Sequence, residues 1–276
     1  MTHKIAISGS TIMSDTSLFH ELFIDETSHI EIGEFENEDA YQHFLGKIKS
    51  SNKSFSLHSP LFRKDSKYDL IEFVQFEPDK AWIQFENEVM RMAQAGAAYI
   101  LVHFPYFQDE SKDPNTLIEE GLQRLSLLQT KYNLPIVCEP KLGMWKSTKG
   151  IEYLHNFPVS VWKKYGLKLC IDIGDYLLAA AELSVNPPEL IQKWQEHIKV
   201  VHLHNIEFIE GKYIWIPIHP SHEEDDVYFP VKEILSFIAK RNNIYWVLEH
   251  TPHSRPKKDF VKEGIQWLKK DILKIE

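Results

Sequence analysis

Eight short runs of apolar, β-branched or aromatic residues recur along the chain, at 5–8, 29–32, 55–58, 99–103, 135–139, 169–173, 200–204 and 245–249. Most of the stretches between them carry helical spacing. The one over 81–95 stops at Gly96, and those over 114–132 and 230–241 each open on a proline. The last, over 256–275, offers Phe260, Val261, Ile265, Trp267, Leu268 and Ile272 as one core-facing stripe. Strands that alternate with helices pair in parallel through crossover helices. Eight such units in 276 residues, about 34 residues each, predict an α/β protein folded as a closed (β/α)8 TIM barrel rather than an open doubly wound sheet. Neither GxGxxG nor GxxxxGK[ST] occurs, which removes the usual nucleotide motifs of open sheets. With no repeat, low-complexity tract or linker, residues 1–276 read as a single domain.

Two connections stand apart. The stretch 205–229 is long for a strand-to-helix loop, and its middle, IEFIEGKYIWI, predicts a small hairpin turning at Glu210-Gly211 above the active-site end. The stretch 251–256 is short, with two prolines flanking His253 and Arg255, and should be stiff.

Charge narrows the partners. Against 31 Lys+Arg stand 40 Asp+Glu, a net charge of −9, which is a poor footprint for binding a phosphate backbone. Nucleic acid is therefore disfavoured as a partner. The opening MTHKIAISGS has no apolar run of the secretory kind, and no stretch approaches the roughly 18 apolar residues of a membrane span. A cytoplasmic chain with no membrane partner is expected, and a homo-oligomer is compatible with everything read here. Alternation along the strands turns Cys138 away from the face of Glu139 and puts Cys170 on the face of Asp172, so the two thiols should stay reduced.

What ends each run carries the chemistry. The second run contains Glu31, the third ends in His58 and the fourth in His103. The fifth ends in Glu139, the sixth carries Asp172, the seventh has His202 and His204, and the eighth ends in Glu249. Taken alone, any one of these reads as a hydrogen-bonded structural histidine or a solvated carboxylate. In a barrel, however, the carboxyl ends of the strands converge on one mouth, and acids and imidazoles gathered there need a cation. Mixed N/O donors without cysteine suit Zn or Mn first, with Mg or Co also admitted.

The ordered series IEIGE (30–34), SLHSP (56–60), LVHFP (101–105), VCEP (137–140), CIDIGD (170–175), VHLHN (201–205) and VLEH (247–250) resembles the xylose isomerase-like barrel superfamily. That group includes sugar isomerases and epimerases and the endonuclease IV group of apurinic-site nucleases. The resemblance implies a central divalent metal held by Glu139, Asp172, His202 and Glu249. In endonuclease IV-like members His58 and His103 would share Glu139 with that site and hold a neighbouring metal. A third metal there requires a histidine three residues after the strand-six aspartate and an Asp-x-His after strand seven. This chain has Asp175 at the first position and Pro220-Ser221-His222 in the loop. Asp175, His204 and His222 thus remain candidates for a further metal or polar site.

Many epimerases of the group place an arginine shortly after the strand-seven histidine, where this chain has Glu207. Arg63, Lys141 and Arg255 lie just beyond strand ends and are candidates to hold a phosphate or carboxylate. Glu31 and Trp145 complete the candidate substrate contacts, and Tyr106 and Trp215 also sit in mouth loops, where packing competes with sugar stacking as their role. The first expectation is a metal-dependent sugar or sugar-phosphate isomerase or epimerase, with Glu139 and Glu249 as the acid/base pair moving a proton beside a carbonyl. The alternatives are an endonuclease IV-like phosphodiesterase acting on abasic DNA and a barrel that binds metal and a small ligand without turnover.

Overall fold

The structure, a computed structural model, describes residues 3–209 and 211–275. From the amino terminus the chain forms β1 (Lys4–Ser8), β2 (His29–Ile32), α1 (Glu38–Lys49), β3 (Ser54–His58), α2 (Pro78–Ala95), β4 (Ile100–His103) and α3 (Pro114–Tyr132). There follow β5 (Ile136–Glu139), α4 (Lys149–Asn156), α5 (Val159–Tyr165), β6 (Lys168–Asp172), α6 (Ile173–Leu183) and α7 (Pro187–Ile191). The last third holds β7 (Ile198–Leu203), the hairpin strands β8 (Asn205–Ile209) and β9 (Lys212–Ile216), then α8 (Lys232–Ile238), β10 (Tyr245–Leu248) and α9 (Lys258–Trp267). Eight parallel strands close in the order β1-β10-β7-β6-β5-β4-β3-β2, a single-domain (β/α)8 barrel.

Local chemistry sets the helix ends. Asn37 caps α1 by accepting the Ala40 N–H at 3.0 Å, and Asp113 caps α3 by accepting that of Thr116 at 3.3 Å. Pro114 fills the first turn of α3, where its missing N–H costs nothing, and α2 ends at Gly96 with φ +77°. Helix α2 begins at Pro78, three residues before the apolar spacing starts, and α8 is shorter than the 230–241 stretch. The final stripe is split between α9 and a π-helical turn, Leu268–Leu273; it buries Ile265, Trp267, Leu268 and Ile272 and leaves Phe260 and Val261 half-buried.

Strand parity divides the core. Ala6, Tyr99, Leu101, Val137, Cys170, Val200, Tyr245 and Val247 point inward and pack as one plug within the barrel. Cys138 faces the other way, into the layer between strands and helices. Both cysteines are free. The antiparallel hairpin of β8 and β9 rises beyond the mouth and is pinned to it where Thr251 donates its N–H to Trp215 O at 3.1 Å. Gly211 takes φ +78° at the turn, while Glu210, the other residue expected there, lies outside the described residues. Among the described residues no helix is long and apolar enough to cross a membrane.

Candidate metal centre and cavity

His103, Glu139, Asp172, His202 and Glu249 each stand two residues past a plug residue of the same chain run, on the same face. Register places His103 opposite Glu139 and Asp172 opposite His202, so neighbouring strands hand their side chains to a common level. Asp172 ends β6 and also caps α6: its Oδ1 accepts the Asp175 N–H at 3.0 Å and faces His204 Nε2 at 2.8 Å. Gly174 makes the second contact possible, since a Cβ there would lie 2.2 Å from His204 Cε1. Asp172 Oδ2 is left for a cation, and the Lys141 ammonium ion-pairs with it. The same ammonium lies 3.2 Å from Glu139 Oε1 and 3.1 Å from Asp175 Oδ2.

His202 stands between carboxylates on both sides. Its Nε2–H donates to Glu31 Oε1 at 2.7 Å, and Tyr99 donates its O–H to Glu31 Oε2 at 2.6 Å. Its Nδ1 faces Glu249 Oε2 at 2.8 Å and Glu139 Oε1 at 3.2 Å. Burial alone would hold the imidazole neutral, but Cys170 and the surrounding carboxylates raise its pKa well above the ordinary value. Burial likewise pushes Glu31 upward, and His202 and Tyr99 outweigh it. Glu31, expected as a substrate contact, is instead fully buried beneath the mouth. It fixes the ring of His202 and leaves Nδ1 aimed at the centre.

A second group adjoins the first. His58 Nε2 and His103 Nε2 approach Glu139 Oε2 at 3.3 and 3.2 Å, and His58 Nε2 is 3.9 Å from Glu249 Oε1. Burial drops the His103 pKa to about 3, whereas for His58 the Glu139 contact outweighs burial and raises it. Glu139 is pushed up by burial and pulled well below the carboxylate range by Lys141, His202 and His103.

The donor set fits a divalent metal. One donor atom from each of Glu139, Asp172, His202 and Glu249 lies within 4.8 Å of the others, and the same holds for His58, His103 and Glu139. Glu139 Oε2, Glu249 Oε2 and both ring nitrogens of His103 are buried without an aligned hydrogen bond, although their neighbours are close. Donors that converge in distance while missing hydrogen-bond alignment are arranged around a point between them. Buried carboxylates left that way are costly unless a cation meets them.

Above the centre opens a cavity of about 370 Å³, the size of a small-molecule site. Its lining includes His58, His103, Lys141 and Glu249 at the floor, hydroxyls of Ser8, Ser10, Ser14 and Thr251, and Trp215. Arg63 lines it too, anchored by donation to Met13 O at 3.0 Å.

Other expected contacts lie elsewhere. Trp145, at φ 56°, is 97% exposed, and Arg255, at φ 47°, is exposed; neither lines the cavity. Lys141 is already committed to three carboxylates and is not a free anion holder. His222 is packed against Tyr228 and Phe260, away from the centre, and Asp175 is tied to Lys141. His204 serves Asp172 and stacks on Trp215 with ring centres 4.7 Å apart. These three residues thus make separate polar or packing contacts and form no shared donor group among the described residues.

Sequence reasoning missed Tyr99, Lys67 and Tyr68. Parity with Leu101 and His103 would have flagged Tyr99. Lys67, ion-paired to Glu34, and Tyr68, stacked on His103, come from the loop after β3, which carries no periodic signal.

Residues 20–271 match the family model for the xylose isomerase-like TIM barrel, and the chain belongs to that family. No curated protein matches it in sequence. Among solved structures it is similar to a D-tagatose 3-epimerase-like protein, with TM-score 0.67, 15% identity and coverage of 98% of this chain and 99% of that one. It is similar to a 3-keto-D-glucoside 4-epimerase from E. coli, with TM-score 0.63, 12% identity and coverage of 98% and 100%. A third, the IolI protein with a bound zinc atom, gives TM-score 0.64, 15% identity and 98% coverage of each chain.

Proposed function

We propose that this chain is a metal-dependent isomerase or epimerase that moves a proton beside the carbonyl of a sugar or sugar phosphate. The observation that carries this reading is the convergence of Glu139, Asp172, His202 and Glu249 at the floor of a cavity whose walls carry hydroxyls and cations. A divalent metal held there by those four residues, Zn or Mn by the donor chemistry, would polarise a substrate carbonyl and stabilise an enediolate. His58 and His103 would complete the floor, as ligands of a neighbouring metal through Glu139 or as substrate contacts.

The two glutamates expected to share the proton work divide it unequally. Glu139 is enclosed by Lys141 and three imidazoles, which hold it ionised and make it a weak base. Glu249 lines the cavity with its Oε2 turned to His202 Nδ1 and its Oε1 held only loosely, 3.9 Å from His58 Nε2, so it is the group placed to reach a carbon-bound proton. Arg63 lines the cavity as the group to meet the distal anion or hydroxyls of a sugar, and Trp215 lines the same cavity. The −9 net charge and the engagement of Asp175 by Lys141 weigh against a trinuclear nuclease site.

Protein loaded with Mn or Zn should exchange solvent deuterium into at least one member of a panel of ketoses and ketose phosphates, and Glu249→Gln should abolish it. No exchange into any of them, with nicking of an abasic DNA strand instead, would transfer the assignment to the phosphodiesterase reading.

A further inference from the structure

We infer that Lys141 is an exchangeable counter-ion of the centre: its ammonium neutralises Glu139 and Asp172 until a divalent metal takes its place. The inference rests on the metal reading above and adds a competitor built into the chain. Asp172 has one oxygen to give. Its Oδ1 is occupied by the α6 N-terminus and His204, so a metal must use Oδ2, the atom that Lys141 now holds. Glu139 Oε1, 3.2 Å from the same ammonium, also faces His202 Nδ1 at 3.2 Å. The lysine therefore stands on the side of the carboxylates that the other ligands face. A monocation and a dication bound to the same oxygens repel at short range, most strongly in a buried site.

The surroundings provide somewhere for the ammonium to go. Asp175 Oδ2, 3.1 Å from Nζ, is outside the four-ligand group and can keep its hold as Lys141 leaves Asp172. The ring of Trp215 offers a cation face with its centre 5.1 Å from Nζ, and Lys141 already borders the cavity. A lysine buried only for packing would need neither. The chain thus accepts weaker metal binding in return for a charge-balanced centre when metal is absent.

The test is Mn²⁺ affinity, from the free-ion signal in electron paramagnetic resonance, for wild type and Lys141→Met, together with melting of both metal-free proteins. Lys141→Met should bind Mn²⁺ roughly tenfold or more tightly, the scale on which neighbours of metal ligands act. Its metal-free form should melt lower than wild type, and Mn²⁺ should close the gap. A folded Lys141→Met that binds Mn²⁺ with wild-type or weaker affinity overturns the exchange while leaving the metal centre standing. No Mn²⁺ or Zn²⁺ binding by either protein overturns the metal reading itself. Should the metal-free variant fail to fold, acylation of Lys141 in wild type, followed by peptide mass spectrometry, supplies the second readout. Labelling that rises when Mn²⁺ is added supports release of the ammonium, and labelling that is unchanged or falls contradicts it.

Discussion

Two levels of the barrel interior, two residues apart on the same strands, do opposite things. The lower carries Leu101, Val137, Cys170, Val200 and Val247, packed as an apolar plug. The upper carries His103, Glu139, Asp172, His202 and Glu249, all buried, with charges and imidazoles in place of methyl groups. The strands position both layers by the same parity, so geometry does not distinguish them. The plug holds the strands apart at fixed distance and fixes where the upper layer points. The upper layer is tolerated because its members, with Lys141, neutralise one another. Stability and function are thus stacked along one axis, and each level can be perturbed with the other as control.

The largest effect should come from putting the chemistry of the upper level into the lower. Val137→Asp places an unpaired carboxylate in the plug, and should cost about 4 kcal/mol or more, giving insoluble or unfolded protein by circular dichroism. A folded Val137→Asp with a wild-type melt would show that the plug is as wet as the mouth. Next comes Glu88, buried on α2, where it accepts from Ser59 Oγ at 2.6 Å and Leu61 N at 3.1 Å and so anchors the exit of β3 beside His58. Burial raises its pKa from 4.5 to about 7. The folded state therefore binds the proton more tightly than the unfolded chain. The stability this gives is complete below pH 4.5 and is lost as pH rises through 7. Glu88→Gln removes that dependence. Urea midpoints should show the variant gaining on wild type by up to about 3 kcal/mol between pH 4.5 and 8, and parallel pH profiles would contradict the assignment.

Smaller effects test the seam between the levels. Tyr99→Phe deletes the O–H that satisfies Glu31 and should cost about 2 kcal/mol in denaturant unfolding, with weaker Mn²⁺ binding as His202 loses its orientation. A stability loss with unaltered metal affinity would make Tyr99 a packing residue only. Smallest of all is Trp145→Ala, since the side chain is 97% exposed; stability should stay within about 0.5 kcal/mol of wild type.

Much of this could be read from the sequence because period two is a strong constraint. Once the strands are placed, Glu139, Asp172, His202 and Glu249 fall on one face, and Cys138 falls on the other. The runs over 29–32 and 55–58 coincide with β2 and the end of β3, and 114–132 coincides with α3. What escaped depends on reach and backbone hand rather than parity. Whether Lys141, two residues past a strand end, turns back into the centre is decided by how its loop packs against α6. Arg255 and Trp145 sit exposed on left-handed backbone, a conformation that arginine and tryptophan do not announce. Glu31 was visible as an inward residue, but its depth below the mouth, and hence its role as partner of His202, depends on the register between β2 and β3.

By the function proposed above, four side chains at the upper level hold one divalent metal. Elemental analysis of the purified protein after exposure to Mn²⁺ or Zn²⁺, repeated on Asp172→Ala and Glu249→Ala, tests it most directly. Wild type should carry about one to two equivalents and each variant should lose at least one, because removing an anionic ligand weakens a shared site. Full occupancy in both variants, or none in wild type with either metal, would contradict it.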